Sequence, residues 1–327
     1  MSHNFFQNNI RMKEVVNFIY KDRTSRTVLL ASVFIIAMGL LRPDKILGMH
    51  EKRFWATKIS WRDYADVVIT GDSRVLGGIS PGRMQETLKN RRIVNYGFAS
   101  NIYVPEYLEA VEHVLKKQSD KKTIILGITP HSLTEDPDIT GQFFELSNLS
   151  KRDIFMDIHF AAVMSFFEYM SFHDLMLGIF PSLAKGHTYK ELFADGWLAY
   201  SKKPFSRKEL KTYMKIYERC QVSPKMIDNM MSYVSRWNKS GIRVYGFLVP
   251  TCAQMAEMEK ELSGLNLNEF KKSFKEAGGI WIDINLAAYE SFDGSHLQRE
   301  SALELSQDLA LKINEIEGQN NKVFGIK

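Results

Sequence analysis

Two short motifs near opposite ends of this chain carry the residue types that acyl chemistry needs. Gly71-Asp72-Ser73 offers a hydroxyl, and Asp293-Gly294-Ser295-His296 offers a carboxylate three residues before an imidazole. A serine hydroxyl attacks a carbonyl well only when a neighbouring base takes its proton. Histidine does this near neutral pH, and an Asp on its other ring nitrogen fixes the tautomer and steadies the imidazolium. The two motifs therefore predict Ser73 as nucleophile, His296 as general base and acid, and Asp293 as the group that orients His296. Taken singly each is weak, since Asp-Ser is a common turn or helix cap and D-x-x-H recurs by chance. Placement along the chain gives them weight.

Short apolar segments rich in β-branched residues alternate with helical patterns. Strands are predicted at 65–70, 92–96, 122–128, 242–249 and 279–284, and helices at 81–90, 103–118, 225–239, 253–276 and 297–316. Near-continuous apolar strands separated by helices predict an α/β fold with a parallel sheet covered on both faces. Reactive groups in such folds gather at the carboxyl ends of the strands. That places residues 71–74, 97–101, 129–132, 250–252 and 285–296 on one rim. Ser73 follows the first strand directly and His296 directly precedes the last helix, so both motifs converge there.

The 327 residues are 45% hydrophobic and 25% charged, which excludes disordered, collagenous and coiled-coil chains. Two cysteines, Cys220 and Cys252, exclude a disulfide framework. No Cys/His cluster or H-E-x-x-H pair occurs among His113, His131, His159, His173 and His187, so neither a metal nor a cofactor is expected. Nor is there a G-x-G-x-x-G or Walker pattern for a nucleotide. Of the formal charge of +5, residues 1–26 hold +3, through Arg11, Lys13, Lys21, Arg23 and Arg26 against Glu14 and Asp22. The nearly neutral remainder excludes a nucleic-acid footprint.

Between Arg26 and Arg42 runs the uncharged segment TVLLASVFIIAMGLL, residues 27–41. As helix it covers about 22 Å, less than the roughly 30 Å hydrocarbon core of a bilayer. Snorkelling arginines and extension through Ile46 and Leu47 past Pro43 lengthen the effective span. No small-residue cleavage pattern follows. The reading is an uncleaved signal anchor at 27–47, with residues 1–26 cytoplasmic by the positive-inside rule and the body outside beyond a linker at 48–61. A cleaved signal and a buried helix are the alternatives. Residues 62–320 form the main domain, interrupted at about 133–224 by a Phe- and Met-rich insertion too long for an ordinary crossover. Its charges Asp157, Glu168 and Asp174 argue against a second span and predict a helical cap beside the rim.

With Gly71-Asp72-Ser73 after the first strand and Asp293 with His296 before the last helix, the chain resembles the SGNH, or GDSL-like, hydrolase superfamily. The resemblance covers roughly residues 62–128 and 240–316. It implies a flavodoxin-like, three-layer α/β/α fold and the Ser73–His296–Asp293 triad. The family's second block matches Asn95-Tyr96-Gly97, which implies that the N–H groups of Ser73 and Gly97 form the oxyanion hole. The third block departs from the pattern. Where the family usually has G-x-N-D, this chain has Gly127-Ile128-Thr129-Pro130-His131-Ser132, without the Asn that completes the hole. Thr129, Ser132 and Asn101 are the available substitutes, and the sequence leaves the choice between them open. His131 reads as a turn or capping residue.

An N-terminal anchor, an SGNH-like body and a divergent third block resemble the envelope-modifying branch of that superfamily, which includes proteins of D-alanine transfer and of polysaccharide O-acetylation. By this resemblance the expected activity is that of an extracytoplasmic, membrane-anchored serine esterase or O-acyltransferase. Its partners would be an acylated glycan or envelope polymer, the membrane and envelope-biosynthesis proteins. A catalytically inactive SGNH-like assembly factor is the alternative. Hydrolysis and transfer need the same triad, so the triad leaves both open.

Overall fold

The structure, a computed structural model, describes residues 22–41, 46–135, 141–167, 188–202 and 208–323. The chain divides into two compact units, one of residues 1–44 and 159–184 and the other of residues 45–158 and 185–327. His173 and His187, and most of the segment 1–26, lie outside the described residues.

In the smaller unit, helix α1 (Arg23–Leu41) carries the apolar run. Much of its apolar surface is exposed, with Val28, Leu30 and Phe34 each 58–68% exposed, although the Phe34 ring also meets Phe166 edge-on. The signal anchor expected at 27–47 is not supported, because among the described residues no helix is long and apolar enough to cross a membrane. Helix α1 ends at Leu41, two residues before Pro43, which lacks an N–H and disfavours helix at the residue before it. By Ile46 the chain is a strand, β1 (Ile46–Gly48), rather than the last turn of that helix.

Helix α2 (Glu51–Ser60) occupies the expected linker at 48–61 and belongs to the core, burying Phe54, Trp55, Ala56 and Ile59. Strand β2 (Val67–Thr70) then leads into helices α3 (Ser73–Gly78) and α4 (Pro81–Thr87). Strand β3 (Ile93–Asn95), helix α5 (Pro105–Val114) and strand β4 (Thr123–Ile128) follow. Within the insertion lie helices α6 (Gln142–Ser147) and α7 (Lys151–Phe166), the latter kinked at Phe160. The insertion is not purely helical. Strands β5 (Thr188–Leu192) and β6 (Leu198–Lys202) form an antiparallel hairpin, and β1 pairs with β5 in parallel to make a second, three-stranded sheet.

Beyond helix α8 (Lys208–Arg219), the main pattern resumes with helix α9 (Pro224–Lys239) and strand β7 (Arg243–Leu248). The helix expected over 253–276 is two, α10 (Ala253–Leu262) and α11 (Leu267–Glu276), parted by Gly264 at φ +76°. Strand β8 (Ile280–Trp281) and the long helix α12 (Arg299–Val323) complete the chain.

The five-stranded sheet is parallel throughout, in the order β3-β2-β4-β7-β8. Its strands alternate between two cores, as a period of two requires when both faces are covered. Val68, Ile124, Leu126 and Val244 face one core with Leu108 and Val111 of α5, Met230, Val234 and Trp237 of α9, and Phe270 and Phe274 of α11. Val67, Ile69, Ile125, Tyr245 and Phe247 face the other with Val75 of α3, Met84 of α4, and Leu305, Leu309 and Ile313 of α12. The result is the expected α/β architecture in three layers. Truncating a buried aromatic such as Trp237 would cost about 3–5 kcal/mol. Counted in chain order within this sheet, the strands run 2-1-3-4-5, a doubly wound order. Its chain reversal opens a crevice where the carboxyl ends of β2, β3 and β4 meet.

Candidate active site

The last residues of β2 deliver Ser73 to that crevice. Gly71 is needed by close approach, because a Cβ there would stand 2.3 Å from Val75 Cγ2 and 3.0 Å from the Gly127 carbonyl oxygen. Asp72 caps α3, its Oδ1 accepting the Arg74 N–H at 2.9 Å. Ser73 is thus the first residue of a helix, where N–H groups have no intrahelical acceptor, and its side chain is half-buried.

From 223 residues further on, His296 meets it, with Nε2 2.9 Å from Ser73 Oγ. The opposite ring nitrogen, Nδ1, lies 2.8 Å from Asp293 Oδ2. With Nδ1 protonated, His296 donates to Asp293 and accepts from Ser73, the arrangement a general base requires. The turn between them is tight. Gly294 adopts φ +95°, and Asp293 Oδ1 accepts the backbone N–H of both Ser295 (2.9 Å) and His296 (2.7 Å). Burial pushes the Asp293 carboxyl up, but the facing imidazole and these donors outweigh it and hold the group below the usual aspartate range. Asp293 is therefore ionised wherever His296 has to act as a base.

The expected oxyanion groups fare differently. Gly97 packs against α3, where a Cβ would be 2.8 Å from the Leu76 nitrogen, yet its N–H donates to Asn95 Oδ1 at 2.9 Å. It is not the unengaged donor that the second block implies. Asn95 is instead a fastener, its Nδ2 donating to the Val75 and Ile79 carbonyls at 2.8 Å and tying the end of β3 to α3. The Thr129 hydroxyl is also committed, donating to Asp72 Oδ2 at 2.6 Å. The Ser132 hydroxyl donates to the Thr129 carbonyl at 2.8 Å. Asn101 is the exception: it is 1% exposed, and neither Oδ1 nor Nδ2 has a partner among the described residues. A buried orphan amide is costly unless something else fills its hydrogen bonds.

Several neighbours gave no signal in the sequence. Tyr103 and Tyr107 of the 101–107 stretch support the strand ends from below. The Tyr103 hydroxyl donates to the Thr70 or Gly127 carbonyl (3.0 and 2.9 Å), and the Tyr107 hydroxyl donates to the Tyr96 carbonyl (2.6 Å) while accepting from Thr70 Oγ1 (2.6 Å). His131 begins a short 3₁₀ turn and is 4% exposed, with Nδ1 3.9 Å from Asp72 Oδ2, which is beyond hydrogen-bond length. Arg74 turns away from solvent entirely. Cys220 and Cys252 form no disulfide. Among the described residues no group of three His, Cys, Asp or Glu converges as a metal site would need.

A cavity of about 550 Å³ opens on the same rim, lined by Pro130 after β4, Val249 and Thr251 after β7, Leu265, Leu267 and Leu286. In the sheet, β7 lies two strands, about 10 Å, from β2, with β4 between them.

Fold and site together define an α/β protein with a Ser–His–Asp constellation at its topological switch point. Compared with known proteins, the chain matches no family model, no curated protein and no solved structure.

Proposed function

We propose that this chain is an SGNH-like serine esterase or O-acyltransferase acting on acyl or acetyl esters of an envelope polysaccharide or glycan. The observation that carries this reading is the unbroken path from Ser73 Oγ through His296 (2.9 Å) to Asp293 (2.8 Å). The 2-1-3-4-5 strand order supports the flavodoxin-like form of the fold. In the proposed reaction Ser73 Oγ attacks the ester carbonyl as His296 takes its proton. His296 then returns the proton to the departing alcohol, leaving an acyl-serine. Water or a sugar hydroxyl, deprotonated by His296, releases the acyl group and regenerates Ser73. The Ser73 N–H and the Asn101 amide are the groups proposed to face the oxyanion, and the apolar pocket beyond Pro130 suits the rest of the substrate. An extracytoplasmic position at the membrane belongs to the same proposal, with the exposed Val28, Leu30 and Phe34 supporting contact with lipid.

The commitment of Gly97 and Thr129 to internal bonds favours a second reading, an SGNH-like binding or assembly factor that has lost its chemistry. Intact-protein mass spectrometry after fluorophosphonate treatment separates the two. One adduct that vanishes in Ser73→Ala is the outcome expected of the enzyme. A folded chain that takes no adduct is the outcome expected of the binding factor.

A further inference from the structure

Arg74 follows the nucleophile directly and is 1% exposed. Its Nε donates to Ser295 Oγ at 2.8 Å, and Ser295 is the residue immediately before His296. Its Nη2 donates to Glu259 Oε1 of α10 at 2.6 Å, and the Tyr217 hydroxyl donates to the same oxygen at 3.0 Å. The guanidinium lies over the Tyr213 ring, its Cζ 4.6 Å from the centroid. One planar side chain therefore links the residue after Ser73 to the residue before His296, across 221 positions of sequence. Ser295 passes the restraint on, because its own N–H is held by the Asp293 carboxylate that orients the imidazole.

A buried ion pair is weak evidence for stability, since hydrophobic residues of like volume often replace one without loss. What sets this pair apart is its attachment. The fork of a guanidinium can hold Ser295 and Glu259 at once, whereas the single ammonium of a lysine cannot span both in the same plane.

We propose that Arg74 is a positioning residue, acting through Ser295 to set where His296 presents Nε2 to Ser73, with Glu259 and Tyr213 fixing Arg74 in turn. This inference rests on the reading of Ser73 as nucleophile. The network does not touch the reacting atoms. Its effect falls on the rate at which the serine reacts and not on substrate affinity, as misplacement by about 1 Å can slow a reaction by about 10²-fold.

The test compares the parent chain with Arg74→Met/Glu259→Gln, which removes both charges together so that neither is left buried alone, and with Ser295→Ala. Two quantities are read on protein shown to be folded: the limiting rate of fluorophosphonate labelling at saturating reagent, across pH, and the ¹⁵N and ¹H resonances of the His296 ring. The expected result is a labelling rate lowered about 10- to 100-fold in the double variant, a smaller fall in Ser295→Ala, and displaced His296 resonances in both. A purely structural role would lower the melting temperature while leaving the folded fraction reacting at the parent rate with an unmoved ring. That result overturns the proposal. Should the double variant fail to fold, Ser295→Ala decides by the same two readouts. Should the parent itself take no label, the reading of Ser73 fails, and the His296 resonances alone judge the positioning: displaced supports it, unmoved overturns it.

Discussion

Two Asp–His pairs flank Ser73, and only one is arranged for proton transfer. Asp293 spends Oδ1 on two backbone N–H groups and keeps Oδ2 for His296, whose far nitrogen reaches the serine. Asp72 spends Oδ1 on the Arg74 N–H and Oδ2 on the Thr129 hydroxyl, leaving His131 at 3.9 Å. The side-chain exposures follow the same division, 16% for His296 and 5% for His131. Residue type and proximity are therefore insufficient. A carboxylate orients an imidazole only from hydrogen-bond distance, and at 3.9 Å His131 stands beyond it. Asp72 has become part of the scaffold, capping the helix that begins at Ser73 and tying it to the loop after β4.

The largest test of this contrast is the pair His296→Ala and His131→Ala. The first is expected to slow fluorophosphonate labelling of Ser73 by about 10⁴- to 10⁶-fold, and the second to leave the rate near that of the parent. A reversed ranking would assign the base to His131. Next comes Asn101→Ala, expected to slow turnover of an aryl acetate about 10²- to 10³-fold if its orphan amide faces the oxyanion. An unchanged kcat would leave Ser73 N–H as the sole donor of the set.

Asp72→Asn separates scaffold from chemistry. It is expected to lower stability by about 1–3 kcal/mol at pH 7, read by denaturant titration. Burial pushes the Asp72 carboxyl up, but the facing His131 imidazole, the Arg74 charge and the Thr129 hydroxyl bring it below the usual range. A depressed native value means that this contribution is complete above about pH 4 and is lost as pH falls through the native pKa. The variant should therefore show a shallower acid limb below about pH 4. The smallest expected effect concerns a charge outside both pairs. Lys58 is fully buried, donating to the Gly196 carbonyl at 2.9 Å, and burial drives its pKa well below the usual value despite the nearby Asp195 carboxylate. Between that depressed value and about pH 10.4 the unfolded chain binds the extra proton, so stability rises with pH across the window. Lys58→Met should lose that rise, measured by the same titration on the alkaline side.

How much of this was legible in the sequence depended on how local the cause was. The five strands were readable because VVIT, TIILGI and RVYGFL are apolar enough to declare burial on both faces. Ser73 and His296 were readable because each abuts a strand end or a helix start. The break between α10 and α11 was missed because helical periodicity runs on across Ser263 and Gly264. The second sheet escaped because TYKEL and LAYSK mix charge with aromatic residues, and one partner, β1, is only three residues long. Least legible was Arg74 with Glu259. Each looks like surface charge in isolation, and 185 residues separate them. The state of Gly97 was hidden for a related reason, since the second block names the donor but not the acceptor that already holds it.

The distance along the chain between Ser73 and His296 has a consequence for biosynthesis. A ribosome that has delivered β2 and Ser73 has more than two hundred residues still to add before His296 can reach that serine. Until α12 docks beside α3 and α4, the hydroxyl is an ordinary alcohol. On the proposed reading a nascent chain that lacks His296 is chemically silent, and labelling of Ser73 would report that α12 has docked.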